Sequence, residues 1–171
     1  MPDIEIRALA PTDDRTRFSS GNPDLDRFFI RYAGQNQFKH HIGTTYVAVE
    51  GLRILGFATV SASHLEAPRL PQTLRRRLPH YPLPVLRLAR LAVDRSARGG
   101  GVGEMLLRTV ILLAEEMAGR VGCVGVVVDA KAGAVAFYER YGFSALDMVK
   151  GQLEDRPEPL PMFLPLGRVP R

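Results

Sequence analysis

Hydrophobic and polar positions follow two different periods along the first half of the chain. Residues 44–50 and 54–62 are rich in β-branched and aromatic side chains and are separated by a short turn, which predicts an antiparallel hairpin. Residues 24–35 begin with acidic side chains and carry apolar ones at helical spacing, which predicts an amphipathic helix. A weaker alternation over residues 4–9 predicts a strand ahead of that helix.

The second half of the chain predicts six further segments. The first three are a proline-rich connection with a short basic helix (64–84), a strand (85–94) and a glycine run with an apolar helix (95–117). They are followed by a buried strand (123–129), a short helix (133–143) and a last strand (162–166) behind a second proline-rich loop. This order predicts an α/β fold, in which helices flank a mixed and mostly antiparallel twisted sheet. The 171 residues, 46% of them hydrophobic, suffice for one domain spanning residues 1–171.

Much of the net charge of +5 comes from one third of the sequence. Eight arginines lie there with few acids among them: Arg69, Arg75, Arg76, Arg77, Arg87, Arg90, Arg95 and Arg98. Such a concentration favours a polyanionic partner. A solvated arginine-rich surface is the alternative, and the composition does not choose between the two.

Other classes of protein are disfavoured by what the chain lacks. Its first residues include acids and form no apolar segment, so we expect no secretory signal, and the longest apolar run, residues 121–128, is too short to span a membrane. Cys123, the single cysteine, lies in that run and is expected to be a buried small hydrophobe, which suits a reducing cytoplasm. We predict no metal site, because no metal-ligand spacing relates the histidines, which we expect at the surface or in loops: His40, His41, His64 and His80.

The glycine run is the most informative motif. A strand, a glycine loop and a helix in succession create an anion site, because the unpaired N–H groups at a helix N-terminus carry the positive end of the helix dipole. A phosphate-binding P-loop would need a Gly-Lys-Ser/Thr ending, which Gly103-Glu104-Met105 lacks. A dinucleotide fingerprint counted from Gly99 would need its third glycine at Glu104. The sequence Arg98-Gly-Gly-Gly-Val-Gly103 instead fits Arg/Gln-x-x-Gly-x-Gly/Ala.

That pattern resembles the coenzyme A pyrophosphate loop of the GNAT superfamily of N-acetyltransferases, and AFYERYGF at residues 136–143 resembles a second GNAT segment. The resemblance covers most of the chain and implies the GNAT fold with splayed central strands and acetyl-CoA as co-substrate. It assigns the pantetheine arm to the backbone of Leu91, Ala92 and Val93, the pyrophosphate to the amides of Arg98, Gly99, Gly100, Gly101, Val102 and Gly103, and a further cofactor contact to Phe137. Lys131 stands where many relatives carry an asparagine.

Acetyl transfer needs a neutral amine, hydrogen-bond donors for the charge that develops on the carbonyl oxygen, and a proton for the departing thiolate. In GNAT enzymes a tyrosine on the helix after the splayed strands commonly donates that proton, and the matching residue is Tyr138. A phenol with a pKa of about 10 is protonated at neutral pH and can serve. The resemblance therefore implies that Tyr138 is the general acid, with packing against its neighbours as the alternative.

The acceptor is indicated by residues 18–37, which resemble the opening of GNAT toxins from toxin–antitoxin modules. Those proteins acetylate the α-amine of aminoacyl-tRNA and are held inactive by a ribbon-helix-helix antitoxin, although they often carry a cysteine where Ser20 stands here. The arginine concentration favours a tRNA contact through Arg75, Arg76, Arg77 and Arg90. Related GNAT proteins are often dimers, and a homodimer in which the apolar last strand pairs across a two-fold axis is one option. A metabolic or protein N-acetyltransferase and a non-catalytic binding module remain alternatives.

Overall fold

The amino-terminal hairpin sets the register of the first strands in this computed structural model, which describes residues 3–66, 69–70, 72–146 and 159–167. Strand β2 (Thr44–Glu50) pairs antiparallel with β3 (Arg53–Leu65), as predicted. Gly51 provides the turn with a φ of +63°, a conformation that costs glycine little. Strand β1 (Glu5–Ala8) adds to the other side of β2, also antiparallel.

A helical segment connects β1 to β2, but it is not one regular α-helix. Helix α1 (Pro23–Arg27) passes through a π-helical turn at Phe28–Tyr32 into α2 (Ala33–Phe38). Asn22 caps α1, since its side chain accepts the N–H groups of Asp24 and Leu25. The amphipathic spacing predicted a helix correctly here, but it did not reveal the π-helical turn, which depends on local hydrogen bonding.

The described residues of the second half form four strands and three α-helices. They are α3 (Gln72–Arg75), β4 (Leu83–Val93), α4 (Val102–Arg120), β5 (Gly125–Ala130), α5 (Val135–Arg140), β6 (Ser144–Ala145) and β7 (Leu160–Pro165). Strand β7 pairs antiparallel with β5 and, at Met162 and Phe163, with β6. The seven strands are hydrogen-bonded in the order β1-β2-β3-β4-β5-β7-β6, which confirms the mixed sheet with flanking helices.

The chain divides into two compact units. The first consists of Met1–Ser61 and Leu88–Leu112, and its core is aromatic. Phe29 stacks on Phe57 with ring centroids 4.3 Å apart, and Phe18 meets Phe29 edge-on at 4.9 Å. These three rings are buried between the α1–α2 segment and the hairpin, so they fix that helical segment to its sheet.

The second unit consists of Ala62–Arg87 and Leu113–Arg171, and its core is mainly aliphatic. Cys123 is buried there as expected, with its Sγ 3.3 Å from the Gly125 carbonyl oxygen, and burial raises the pKa of its thiol. A Cβ on Gly125 would overlap the Leu164 carbonyl oxygen and the Phe163 ring, so glycine is needed there for close strand packing. Parts of β3, β4 and α4 belong to each unit, and the single domain over residues 1–171 stays a prediction.

The structure differs from the sequence predictions near the end of the chain. The two-residue strand β6 was not predicted, because two residues give no periodicity. The last strand was expected to offer an edge for two-fold pairing, but it lies between β5 and β6 in the strand order. The expected second proline-rich loop falls largely on residues 147–158, which are outside the described residues.

Candidate functional site

The glycine loop enters helix α4 with two residues in a left-handed backbone conformation. Gly99 and Gly101 both have a φ of +81°. A Cβ on either would meet no atom within 4 Å, so the backbone dihedral, and not the space around it, is what requires glycine. Gly100 between them donates its N–H to the Ala97 carbonyl at 3.3 Å. The loop is exposed and its backbone is accessible to a ligand.

Helix α4 begins directly after this loop. The Met105 N–H bonds to the Gly101 carbonyl at 3.0 Å. The N–H groups in the first turn of an α-helix point outward along its axis. Helix α4 has 19 residues, so its dipole adds positive potential at this end. The carboxylate of Glu104 in the first turn is paired with Arg108 at 3.0 Å, which offsets its charge. Exposed amides on a glycine backbone fit a diphosphate.

Gly56 allows α4 to begin close to the sheet. A Cβ on this residue of β3 would lie 2.8 Å from Val102 Cγ1 and 3.0 Å from Leu106 Cδ1. The first turn of α4 therefore packs directly on the strand backbone, and this contact fixes where the loop ends. In the sequence, Gly56 is a lone glycine inside a strand pattern, which often marks close approach of another element.

The strand that leads into the loop contains the three residues assigned to the pantetheine arm. Ala92 is buried, whereas Leu91 and Val93 are half-buried at the carboxyl end of β4. The next residue, Asp94, donates its N–H to the Leu55 carbonyl at 2.8 Å and so continues the pairing with β3. These residues thus lie directly before the glycine loop in the first unit.

Asp94 remains ionised in a partly buried position. Burial opposes its ionisation, but hydrogen bonds from Ser96 and from the Ser19 amide, together with the nearby Arg53 guanidinium, outweigh it and hold its pKa below the usual value. Arg53 also bonds to the Ser96 hydroxyl. Asp94 consequently caps the 3-10 turn at Arg95–Ala97, where the loop starts.

Tyr138 lies in the second unit, on the six-residue helix α5. Its side chain is only 5% exposed, and its ring meets those of Phe137 and Phe143 edge-on, with centroids 5.2 Å and 5.4 Å away. Burial raises its pKa to about 12. The phenol is therefore protonated throughout the physiological range, which is the state that a proton donor needs. Gly142, with a φ of +98°, follows the helix, and a glycine in this conformation commonly ends an α-helix.

Comparison with known proteins identifies the family. The profile of the "Acetyltransferase (GNAT) domain" family matches residues 41–145, which include the glycine loop and Tyr138. The chain belongs to the GNAT acetyltransferases. It is thus an acetyl-CoA-dependent acetyltransferase, which confirms the predicted family, enzyme class and co-substrate.

Two relatives extend this result beyond the family. A "tRNA-acetylating toxin" of Mycobacterium tuberculosis is 34% identical over 138 residues, 80% of this chain and 82% of that protein. The structure of AtaT complexed with acetyl-methionyl-tRNAfMet superposes with a TM-score of 0.83 at 26% identity, over 95% of each chain. AtaTR bound with acetyl-CoA superposes with a TM-score of 0.77 at 27% identity, over 96% of this chain and 95% of that one.

The four arginines predicted to contact tRNA divide between the units of this GNAT protein. Arg75, at the end of α3, is half-buried, and its Nε atom has no hydrogen-bond partner among the described residues. Arg76 and Arg77 follow it and are exposed. Arg90 lies in the first unit, with its guanidinium carbon 3.7 Å from the centroid of the Phe28 ring.

The remaining predictions concern metals and membranes. All four histidines are exposed, and the described residues contain no group of three or more potential metal-ligating side chains. Within the same residues, no helix combines the length and the apolar character needed to cross a bilayer.

Proposed function

We propose that this acetyltransferase modifies the α-amine of aminoacyl-tRNA and thereby blocks translation. The observation that carries the proposal is the 34% identity, over 80% of the chain, to a protein described as a tRNA-acetylating toxin. AtaT, which has a similar structure, has been solved with an acetylated aminoacyl-tRNA. The resemblance of residues 18–37 to the opening of such toxins supports the same acceptor.

Acetyl-CoA supplies an activated acetyl thioester when it is bound. In our proposal the amides of residues 98–103 hold its pyrophosphate, and the backbone of Leu91, Ala92 and Val93 holds the pantetheine arm. Tyr138, whose phenol is protonated at neutral pH, donates a proton from its hydroxyl to the departing sulfur, and the attacking amine loses a proton to water as the amide bond forms. Phe137, a further cofactor contact in this proposal, lies against Tyr138 with an interplanar angle of 70°.

The free energy needed to deprotonate the acceptor amine favours an α-amine. At pH 7 a lysine amine with a pKa of about 10.4 must lose a proton at a cost of roughly 4 to 5 kcal/mol, whereas an α-amine with a pKa of about 7.7 costs roughly 1 kcal/mol. The sequence offers no convincing general base. An α-amine beside an ester, as in aminoacyl-tRNA, needs little help, and so an enzyme with a proton donor alone can use it.

The same proposal implies macromolecular partners and a cellular location. Arg75, Arg76, Arg77 and Arg90 would attract tRNA phosphates, and binding through them falls steeply with salt. AtaT has been solved bound to the C-terminus of the antitoxin AtaR, and we propose a comparable ribbon-helix-helix antitoxin for this chain. A protein that consumes acetyl-CoA and charged tRNA acts where both occur, so we propose the cytoplasm.

The decisive experiment incubates the protein with labelled acetyl-CoA and a pool of aminoacylated tRNA. We expect label on charged tRNA, none on deacylated tRNA, and loss of labelling in Tyr138→Phe. Transfer to small amines or protein N-termini, without transfer to any charged tRNA, would replace the proposal by a metabolic or protein acetyltransferase.

A charge-reversal variant tests the arginines separately. Changing Arg75, Arg76 and Arg77 together to glutamate should abolish labelling of tRNA, because like charges repel the phosphates, while calorimetric affinity for acetyl-CoA stays as in the parent. Arg27→Glu is the control, because it reverses an exposed arginine outside the proposed tRNA contact. Arg108 is not suitable, since it pairs with Glu104 on α4. Unchanged tRNA labelling in the triple variant would rule these arginines out.

A further inference from the structure

The segment before the first helix is fastened to the entry of the glycine loop. Ser19 donates its N–H to Asp94 Oδ1 at 2.9 Å, and the Arg95 N–H bonds to the Ser19 carbonyl, also at 2.9 Å. The Arg98 guanidinium then donates to the Ser20 carbonyl oxygen. Two consecutive serine residues therefore hold both ends of the turn from which the loop starts.

Ser20 is itself held by Asp26 of helix α1. The Ser20 N–H points at both carboxylate oxygens, at 3.0 Å and 3.1 Å, and the Ser20 hydroxyl donates to Oδ1 at 2.6 Å. The same hydroxyl oxygen accepts the Asn22 N–H at 3.2 Å. Ser20 is only 7% exposed, so water competes little for these bonds. With both of its donors fixed on one carboxylate, Ser20 keeps its carbonyl directed at Arg98.

Gly21 shows how closely these segments approach. Its φ is +93°, and a Cβ at this position would lie 3.0 Å from Arg98 Nη2 and 3.3 Å from Arg95 Nε. The backbone conformation therefore requires glycine, and a Cβ there would also push against the ends of the two arginine side chains. Gly21 and Asp26 are the first and last residues of a Gly-x-x-x-Leu-Asp stretch within residues 18–37, the segment that resembles the opening of GNAT toxins. The structure gives that spacing a physical purpose.

We propose that Asp26 is a positioning residue for acetyl-CoA binding, acting through Ser20 and the Arg98 side chain on the entry of the glycine loop. Packing on Gly56 fixes the exit of the loop, and the Ser20 carbonyl fixes its entry. Amides that are already aimed at an anion bind it without the entropic cost of ordering the loop. Loss of Asp26 releases the entry, so coenzyme binding weakens while the proton donor is untouched.

The test is the affinity for acetyl-CoA of Asp26→Asn, measured by titration calorimetry without any acceptor. Asparagine has the same shape but no charge, and one of the two oxygens that accept from Ser20 becomes an NH2 group, which cannot accept. We expect the Kd for acetyl-CoA to rise about tenfold, because a hydrogen bond to a charged group is lost from the loop support. In turnover assays the KM for acetyl-CoA should rise with kcat unchanged, and Asp26→Glu should recover part of the affinity.

Asp24→Asn is the matched control. Asp24 lies on the same helix, and its exposed carboxylate forms an ion pair with Arg27 at 3.5 Å, so the same substitution there should leave the Kd unchanged. If Asp26→Asn does not fold, Ser20→Ala removes only the hydroxyl and should raise the Kd about threefold. A folded variant with parental affinity for acetyl-CoA would overturn the proposal, as would a fall in kcat at constant KM. Because binding is measured without acceptor, neither result depends on which amine is acetylated.

Discussion

The glycine loop and the helix that carries Tyr138 are held in place by different forces. The loop is exposed, has two glycines at a φ of +81°, and is fixed by hydrogen bonds at its entry and by packing at its exit. Tyr138 is 5% exposed and is surrounded by aromatic rings. A helix of six residues is too short to be stable by itself, so this packing holds α5 in place.

The two regions differ in whether backbone or side-chain atoms would contact the coenzyme. In our proposal the loop offers backbone amides, so its side chains matter through the dihedral angles that they permit and through the Arg98 bond that supports its entry. Tyr138 would instead act through its side-chain hydroxyl, which the backbone of α5 positions. Substitutions should therefore affect coenzyme affinity in the first region and the rate of the chemical step in the second.

The largest effect should come from Tyr138→Phe. Removing the hydroxyl deletes the proposed proton donor but keeps the ring between Phe137 and Phe143, so turnover should fall about 100-fold or more while the Kd for acetyl-CoA stays constant. Tyr141→Phe, on the same turn, is the control and should retain activity. Steady-state kinetics and calorimetry measure the two quantities. A Tyr138→Phe protein with parental turnover would show that Tyr138 only packs.

A smaller effect is expected from Gly101→Ala. An alanine at a φ of +81° is strained by about 1 to 2 kcal/mol, which should raise the Kd for acetyl-CoA about tenfold without affecting the proton donor. Gly119→Ala is the control, since Gly119 lies in α4 with no atom within 4 Å of an added Cβ. Alanine should favour that helix and slightly raise the Tm. Equal affinities in the two variants would contradict the importance of the loop dihedral.

The smallest expected effect is a fall in the free energy of unfolding at alkaline pH. The pKa of Tyr138 is about 12 in the folded protein, whereas a tyrosine in an unfolded chain has a pKa of about 10. As pH rises between these values, the unfolded chain loses the proton first and so binds fewer protons than the folded one. The free energy of unfolding should then fall, by at most about 1.4 kcal/mol per pH unit, and Tyr138→Phe should lack this dependence. Denaturant unfolding at pH 9 to 11.5 would measure it, and identical slopes would contradict the buried phenol.

Sequence reasoning located the chemical motifs because each of them is local. Four glycines in residues 99–103 and an aromatic segment ended by Gly142 are readable as letters, and their backbone conformations follow from the residue type. The hairpin around Gly51 and the helix at Val102–Arg120 were also predicted, with their ends displaced by a few residues. Periodicity reports which face is buried, but hydrogen bonds decide where an element stops.

The contacts that hold the glycine loop in place could not be predicted from the sequence. Ser20 and Arg98 are 78 residues apart in the chain, and nothing in either stretch names the other as its partner. The contact of Gly56 with Val102 likewise joins a strand to a distant helix. The sequence by itself determined the fold class, the family and the two chemical motifs, because these rest on local conformation. Only the tertiary structure decided what holds the loop, because such contacts depend on the distances that folding creates.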